Sequence, residues 1–435
     1  MPSRKLSLTL YNTLLPLGLL FMAPMALIKM RRRQGKWQDF GQRLGFWDKD
    51  KRTALAALPQ ERLMWMHAVS VGEIGVARKL IAELLRQPNT PGIALTTTTP
   101  TGYRLAEEIE QAFPGRVVAL YSPLDLPWVA RRMISELRPK RIVLVEAEVW
   151  PNIVAQATDA GIPVTLVNAR LSPRSEKRFR RFASLISPVF QMLSRVCVQE
   201  PEDVERWISL GVDRERITFT GSIKYDPQGS EPDPAQVHAF TAMLQALGFA
   251  DRPLLLAAST HAGEERELAL IFQSLAVKHP SLGLLIVPRH YERGPAIEAE
   301  LQALGLAPLR RSQSPAGHTD VLIIDSTGEL KAWQELATVV IIGKSFLAEG
   351  GQNPAEAVMA GKPVVLGPHM ENFIPLVSLL LNAGGAIQVP GLAELEPALD
   401  TLLTDPARRH ALAQAGRTAL MRHQGATTRT AQLLT

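Results

Sequence analysis

Val339–Pro368, VVIIGKSFLAEGGQNPAEAVMAGKPVVLGP, reads as a short β-branched strand, a loop holding Gly343, Gly350 and Gly351, and a helix start at Asn353, Pro354 and Glu356. Asn at a helix cap, Pro at the first helical position and glycines just ahead of them suit a βα turn whose bare N–H groups a ligand can approach. Free N–H groups and the positive end of a helix dipole favour an anion there. An ordinary βα turn has the same signature, so the stretch decides the fold class and leaves the ligand open. It is neither GxGxxG nor GxxxxGK[ST], which removes the dinucleotide fingerprint and the P-loop.

Working outward, the same alternation fills the chain. Candidate strands run over 63–69, 92–98, 117–121, 141–145, 164–167, 196–199 and 217–220, with amphipathic stretches between them. After DPQGSEPDPAQ, residues 226–236, strands resume at 254–258, 284–287, 321–324, 339–342, 363–366 and 386–389, and helical sequence follows Leu392. Near-continuous apolar strands separated by helices predict parallel, doubly wound sheets. The expected organisation is α/β, with one Rossmann-like domain over 63–226, a linker over 227–236 and a second domain over 237–435. Two such domains facing one another leave a cleft at the carboxyl ends of their strands, where ligands of these sheets bind.

Composition narrows the function classes. One cysteine among 435 residues, Cys197, excludes an internal disulfide and reads as a buried structural thiol in a reducing compartment. The net charge of +6 is uneven: residues 1–52 hold 11 Lys/Arg against 3 Asp/Glu, whereas the remainder holds 37 against 39. The basicity therefore belongs to the N-terminus, without the basic stripe and interleaved aromatics of a nucleic-acid binder.

Leu6–Ile28 contains no charged residue and is flanked by Arg4, Lys5, Lys29 and Arg31–Arg33. Residues 1–33 are expected to be a membrane anchor with its C-terminal side in the cytoplasm, either spanning or, given Pro16 and Pro24, shallow and kinked. Residues 34–62, with GKWQDFGQRLGFWDKDKR, read as a basic amphipathic segment close to an anionic membrane surface.

Polar residues gather after the strands. His67-Ala-Val-Ser70-Val-Gly72-Glu73 follows the first, where Ser70 and Glu73 also satisfy a capping box. Glu146 and Glu148 stand directly behind the fourth, and carboxylates so placed need water, partners or a task. The first domain ends in Thr220-Gly-Ser-Ile-Lys224-Tyr-Asp226; in the second, Pro288-Arg289-His290 and Asp325-Ser-Thr-Gly328-Glu329-Leu330 follow strands. The histidines lack metal-ligand spacing, and there is no G-x-S-x-G elbow and no catalytic cysteine context. Acid–base work beside an anion site is the chemistry that remains.

The set VSVGE (69–73), TTTTPTG (96–102), EAEVWPN (146–152), NARLS (168–172), TGSIKYD (220–226), VPRH (287–290), STGEL (326–330) and GGQNPAEA (350–357) resembles the 3-deoxy-D-manno-octulosonic-acid (Kdo) transferases. The resemblance implies a GT-B fold and an inverting glycosyltransferase of lipopolysaccharide biosynthesis at the cytoplasmic side of the cell inner membrane. It implies transfer of Kdo from CMP-Kdo to a lipid A precursor without a metal or other cofactor. It also implies that Glu73 is the general base, that Glu146 and Lys224 stabilise the transition state, and that Pro288, Arg289, Gly328, Glu329, Leu330, Asn353, Pro354, Ala355 and Glu356 bind the CMP side of the donor. Ala147 stands where the family usually has Thr, and Gln352 where it commonly has His. A UDP-sugar glycosyltransferase of the same fold, or a sugar-nucleotide-binding protein without catalysis, are the alternatives.

Overall fold

The computed structural model describes residues 4–32, 37–87, 89–147, 149–171, 173–226 and 232–435, with the main chain alone at 19–32, 37–39 and 173–174. It divides into two compact units, Met1–Asp226 with Gly425–Thr435, and Pro227–Gln424.

The first unit is built on β1 (Met64–His67), β2 (Ile93–Thr97), β3 (Val117–Tyr121), β4 (Arg141–Val145), β5 (Val164–Ala169), β6 (Arg195–Val198) and β7 (Ile217–Phe219). The strands are all parallel in the order β3-β2-β1-β4-β5-β6-β7. Side chains alternate across a strand, so each must bury both faces. Trp65, Ile142 and Leu144 enter one apolar layer with Leu120 and Trp207. Met64, Met66, Val143 and Val145 enter the other with Leu80 and Cys197. Cys197 is buried in that second layer, as expected, and burial pushes its thiol up to about 12.

The second unit repeats the plan with β8 (Leu254–Thr260), β9 (Gly283–Pro288), β10 (Leu309–Arg310), β11 (Val321–Ile323), β12 (Val339–Ile342), β13 (Val364–Leu366) and β14 (Ile387–Gln388). Its order is β10-β11-β9-β8-β12-β13-β14, again parallel. The two-residue β10 was not expected; the other strands lie where the apolar runs placed them.

The boundaries differ from the expectation in two places. The last helix, Ala426–Leu434, belongs to the first unit, although 237–435 was expected to be one domain. Asp226 accepts the N–H groups of Gly425 and Thr427 at 2.9 and 2.7 Å, and so caps this returning helix. Linker residues 227–231 lie outside the described residues, and Pro234 already opens the helix Pro234–Ala246.

At the N-terminus a single helix, Arg4–Arg32, runs through Pro16 and Pro24. Its first half is bonded to the first unit. The Arg4 guanidinium reaches Asp159 at 2.8 Å and the Ala155 carbonyl at 2.9 Å, the Asn12 amide oxygen accepts from Asn152 Nδ2 at 2.7 Å, and Tyr11 donates to buried Asp125. Among the described residues no helix is long and apolar enough to cross a membrane. Within 34–62, several expected surface groups pack inward instead. Trp47, Leu55 and Leu58 are buried, Arg132 lies 4.1 Å from the Phe46 ring centroid, and Lys51 pairs with Glu110 at 2.9 Å.

Candidate functional site

In the first unit the strand order reverses between β1 and β4, the point where doubly wound sheets open a crevice at their carboxyl ends. Glu73 emerges beside β1 and Glu146 beside β4. Ser70 caps the helix Val71–Leu84, its hydroxyl accepting the Glu73 N–H at 3.3 Å. The Glu73 carboxylate turns back, one oxygen accepting the Val69 N–H at 2.7 Å and the other the Ser70 hydroxyl at 2.9 Å. This is the capping-box geometry, with Val69 rather than Ser70 as the backbone donor. Glu73 is buried, 6% exposed.

Glu146 has φ 63°, a left-handed conformation that costs a non-glycine residue roughly 1–2 kcal/mol. Asn168, in the neighbouring strand, has φ 52°; its side-chain oxygen accepts the Ile223 N–H at 2.9 Å and thereby holds the segment that carries Lys224. Lys79 fastens the same segment from the other side, donating to the carbonyls of Ile223, Lys224 and Asp226 at 3.2 Å each. Lys224 Nζ lies 5.9 Å from the Tyr225 ring centroid. Burial pushes the Tyr225 hydroxyl up to about 12, with Arg170 opposing the rise and Glu146 and Glu200 adding to it. Glu146, Arg170 and Lys224 are thus gathered around one buried phenol. Glu148 and Ser172, quoted among the motifs, lie outside the described residues.

His67, behind this face, is fully buried, with Nδ1 2.9 Å from the Thr96 hydroxyl and 3.3 Å from that of Ser122. Burial lowers its pKa to about 4, so it stands as a neutral packing group at physiological pH.

In the second unit the reversal falls between β8 and β12, so the glycine loop of 343–351 sits at its switch point. Gly343 is needed for close approach: a Cβ there would lie 2.6 Å from the Ser259 carbonyl oxygen and the Thr260 Cα. Two acids the sequence reading passed over build this place. Buried Glu264 accepts the N–H groups of His261 at 2.9 Å, Lys344 at 2.7 Å and Phe346 at 3.2 Å, tying the loop after β8 to the loop after β12. Buried Glu265 takes Arg293 bidentately at 2.7 and 3.1 Å and the Thr260 hydroxyl at 2.8 Å. Ser259 and Lys344 both have positive φ, 59° and 55°. With Glu146 and Asn168, they put left-handed non-glycine residues at the carboxyl ends of four strands, positions where backbone strain accompanies function.

Pro288 is buried at the end of β9, whereas Arg289 and His290 are exposed beyond it, the Arg289 N–H donating to Thr260 O at 3.0 Å. The rings of His261 and His290 lie 5.9 Å apart, and Gln352 Nε2 is 3.4 Å from His261 Nε2. Burial first, and then Lys344, hold His261 below the usual imidazole range. Gly328 and Glu329 precede the helix Leu330–Leu336, and the Glu329 carboxylate meets the Ser326 hydroxyl at 2.5 Å and Arg311 at 3.4 Å. Asn353, expected at the cap, lies one residue ahead of it: Pro354 is the cap residue, and the Asn353 side chain accepts the Ala355 N–H at 3.1 Å. The helix that follows is only Ala355–Met359, with Pro354 ahead of it rather than in its first turn; backbone N–H groups, more than a long dipole, are what this end offers. Pro354 and Ala355 are buried, Glu356 is half-buried and Asn353 is exposed. The second unit therefore presents cations and N–H groups, and the first presents carboxylates beside Lys224 and Arg170.

The family described as 3-Deoxy-D-manno-octulosonic-acid transferase (kdotransferase) matches residues 38–227. The 3-deoxy-D-manno-octulosonic acid transferase of Haemophilus influenzae is 33% identical over 96% of this chain and 95% of its own length. The transferase of the same name from Bordetella pertussis is 36% identical over 93% of this chain and 94% of its own. Among solved structures, the UDP-GlcNAc 2-epimerase of Neisseria meningitidis superposes with a TM-score of 0.51 at 14% identity, over 86% of this chain and 99% of that one, a likeness of fold alone. With a curated relative at 36% identity along nearly the whole length, the chain belongs to the 3-deoxy-D-manno-octulosonic acid transferase family of glycosyltransferases.

Proposed function

We propose that this protein is a GT-B enzyme that transfers Kdo from CMP-Kdo to a lipid A precursor, with inversion, in lipopolysaccharide synthesis. Family membership supports the reaction, and the single observation that carries the site is the emergence of Glu73 and Glu146 on either side of the first sheet's switch point. The attacking sugar hydroxyl must lose a proton, and Glu73, its carboxylate oriented by Val69 and Ser70, is the base that accepts it. Glu146 stabilises the positive charge that develops at the reacting carbon, and Lys224, beside Tyr225, the negative charge that develops on the leaving phosphate. Arg289, together with Gly328–Leu330 and Asn353–Glu356, receives the phosphate of departing CMP, and Pro288 packs beneath. One phosphate needs less neutralising charge than two, and the proposed reaction uses no metal.

The proposed location is the cytoplasmic side of the inner membrane. Because the first half of the N-terminal helix is bonded to the first unit, Gly18–Arg32 is what remains to meet lipid. Fifteen residues reach about 22 Å, less than the roughly 30 Å hydrocarbon core, which favours a helix lying in the interface over one that spans. Mass analysis after incubation with CMP-Kdo and a tetraacylated lipid A precursor tests the whole reading, with a mass gain of one or more Kdo units expected. A product formed from a UDP-sugar and not from CMP-Kdo would overturn it.

A further inference from the structure

The segment that presents Lys224 is a turn whose carbonyls converge on one side chain. Two bonds close it, the Tyr225 N–H to Ser222 O at 3.2 Å and the Asp226 N–H to Ile223 O at 3.4 Å. Lys79 Nζ stands 3.2 Å from the carbonyl oxygens of Ile223, Lys224 and Asp226 alike. A cation at the carbonyl end of a turn is favourable for the reason that it is at the end of a helix. Lys79 grows from the helix Val71–Leu84, whose first turn holds Glu73, so one hydrogen-bonded link joins the base to the cation. Further bonds close that link into a ring. Asp226, at the end of the turn, caps the returning helix Ala426–Leu434, and Thr428 of that helix donates to Glu83 at 2.8 Å, in the last turn of the Glu73 helix. Arg429 holds the start of the segment, donating to the Thr220 carbonyl at 2.7 and 3.1 Å.

We propose that Lys79 is a positioning residue for the transfer: by gripping three carbonyls around Lys224, it fixes the direction in which that ammonium is presented relative to Glu73. The inference rests on the roles given above to Glu73 and Lys224 and deepens them. Two observations separate this duty from plain structural support. Lys79 is an exposed side chain, and exposed charges contribute little to stability. Its acceptors also include the carbonyl of Lys224 itself, whereas Ile223, the apolar residue of the turn, is already buried in the core with its N–H held by Asn168. What Lys79 adds is a hold on the peptide that bears Lys224. A lysine ammonium ends a flexible four-carbon stem and is aimed only as well as the backbone beneath it. A misplacement of about 1 Å at a reacting centre costs on the order of a hundredfold in rate.

The test is a double-mutant cycle in the full chain, with CMP-Kdo and the lipid A precursor as substrates. Lys79→Met removes the ammonium and keeps most of the stem. Its kcat should fall by roughly tenfold to a hundredfold, with the KM for CMP-Kdo within about twofold of wild type. In the Lys224→Met background the same substitution should lower kcat by less than about twofold more, because the group that Lys79 aims is gone. A fall by the same factor with and without Lys224 overturns the positioning role and leaves Lys79 a structural residue. A kcat within about twofold of wild type in folded Lys79→Met overturns it as well. If circular dichroism shows that Lys79→Met does not fold, the cycle is repeated with Lys79→Gln, which keeps two N–H donors without the charge, and the same criteria decide. Lys224→Met at the wild-type rate removes the role of Lys224, and this inference with it, while Kdo transfer and the Glu73 assignment stand.

Discussion

The two switch points use the same residue types for opposite ends. At β8/β12 the acids are buried and consumed: Glu264 accepts three backbone N–H groups and Glu265 is paired with Arg293, while Arg289 and His290 stay exposed. At β1/β4 Glu73 is buried as well, but Glu146 stays half-buried on a left-handed backbone, and basic Lys79 is the residue spent on carbonyls. What a charged side chain does is settled by the backbone groups it meets, more than by its type or its distance from a strand end. The second face is left cationic and suited to a phosphate; the first is left with carboxylates suited to a proton.

The strongest break in this comparison is Glu73→Gln. Gln keeps the size and can still accept one of the two local bonds, but it takes no proton at neutral pH. Turnover should fall by roughly 10²–10⁴ with folding and CMP affinity retained. A variant within about tenfold of the wild-type rate would leave Glu73 as a cap alone, because tenfold is only about 1.4 kcal/mol of barrier. Glu264→Gln should behave in the reverse way. Its amide would bring N–H donors against the N–H groups of His261, Lys344 or Phe346, so denaturant unfolding should show a loss of about 3 kcal/mol. Stability within about 0.5 kcal/mol of wild type would contradict the scaffolding role.

Asp125 sharpens the contrast through pH. Burial raises its carboxyl from 3.8 to about 6, against the opposing N–H bonds of Asn152 and Ile153 and the Tyr11 hydroxyl. With the folded value above the unfolded one, the native state binds the proton more tightly between the two. Stability from this group is therefore present at low pH and is lost as pH rises through about 6. Between pH 4 and 6.5 the wild type should lose as much as about 3 kcal/mol relative to Asp125→Asn, whatever the variant's own baseline. Parallel stability profiles for the two proteins would place the Asp125 carboxyl elsewhere on the pH scale.

The strands were legible because parallel strands covered on both faces read as unbroken apolar runs, and the polar residues at their ends followed directly. Leu309–Arg310 escaped that signal, being two half-buried residues with no run to see. The return of Ala426–Leu434 escaped it for a different reason. An amphipathic helix announces that one face is covered and not by which domain, and the capping bonds to Asp226 join positions about 200 residues apart. Glu264 and Glu265 resemble the acidic first turn of an ordinary helix; nothing local distinguishes a solvated glutamate from one that three N–H groups enclose. Left-handed backbone at Glu146, Asn168, Ser259 and Lys344 was equally hidden, since glycine is the residue that normally marks it.

Arg289→Ala tests the cationic face with a smaller effect. Loss of a hydrogen bond to a charged group should weaken CMP by about 1.5–3 kcal/mol in calorimetry, with little change in stability because the side chain is exposed. Unchanged affinity would move the nucleotide away from the end of β9.

The smallest effect separates the two duties of Glu73. The Ser70 hydroxyl accepts the Glu73 N–H and donates to its carboxylate, so Ser70→Ala should cost about 1 kcal/mol of stability as a lost cap. The Val69 N–H still holds the other carboxylate oxygen, and the base should therefore keep most of its aim. Turnover is expected to fall by less than about tenfold, with the KM for CMP-Kdo unchanged. The decisive comparison is the same substitution in the Glu73→Gln background. If Ser70 acts on the reaction by orienting Glu73, its kinetic effect should vanish there while most of the stability loss remains, since the cap to the backbone N–H survives. An equal fall in turnover in both backgrounds would mean that Ser70 reaches the chemistry by some route other than this carboxylate, and the helix start after β1 would have to be read as a binding surface in its own right.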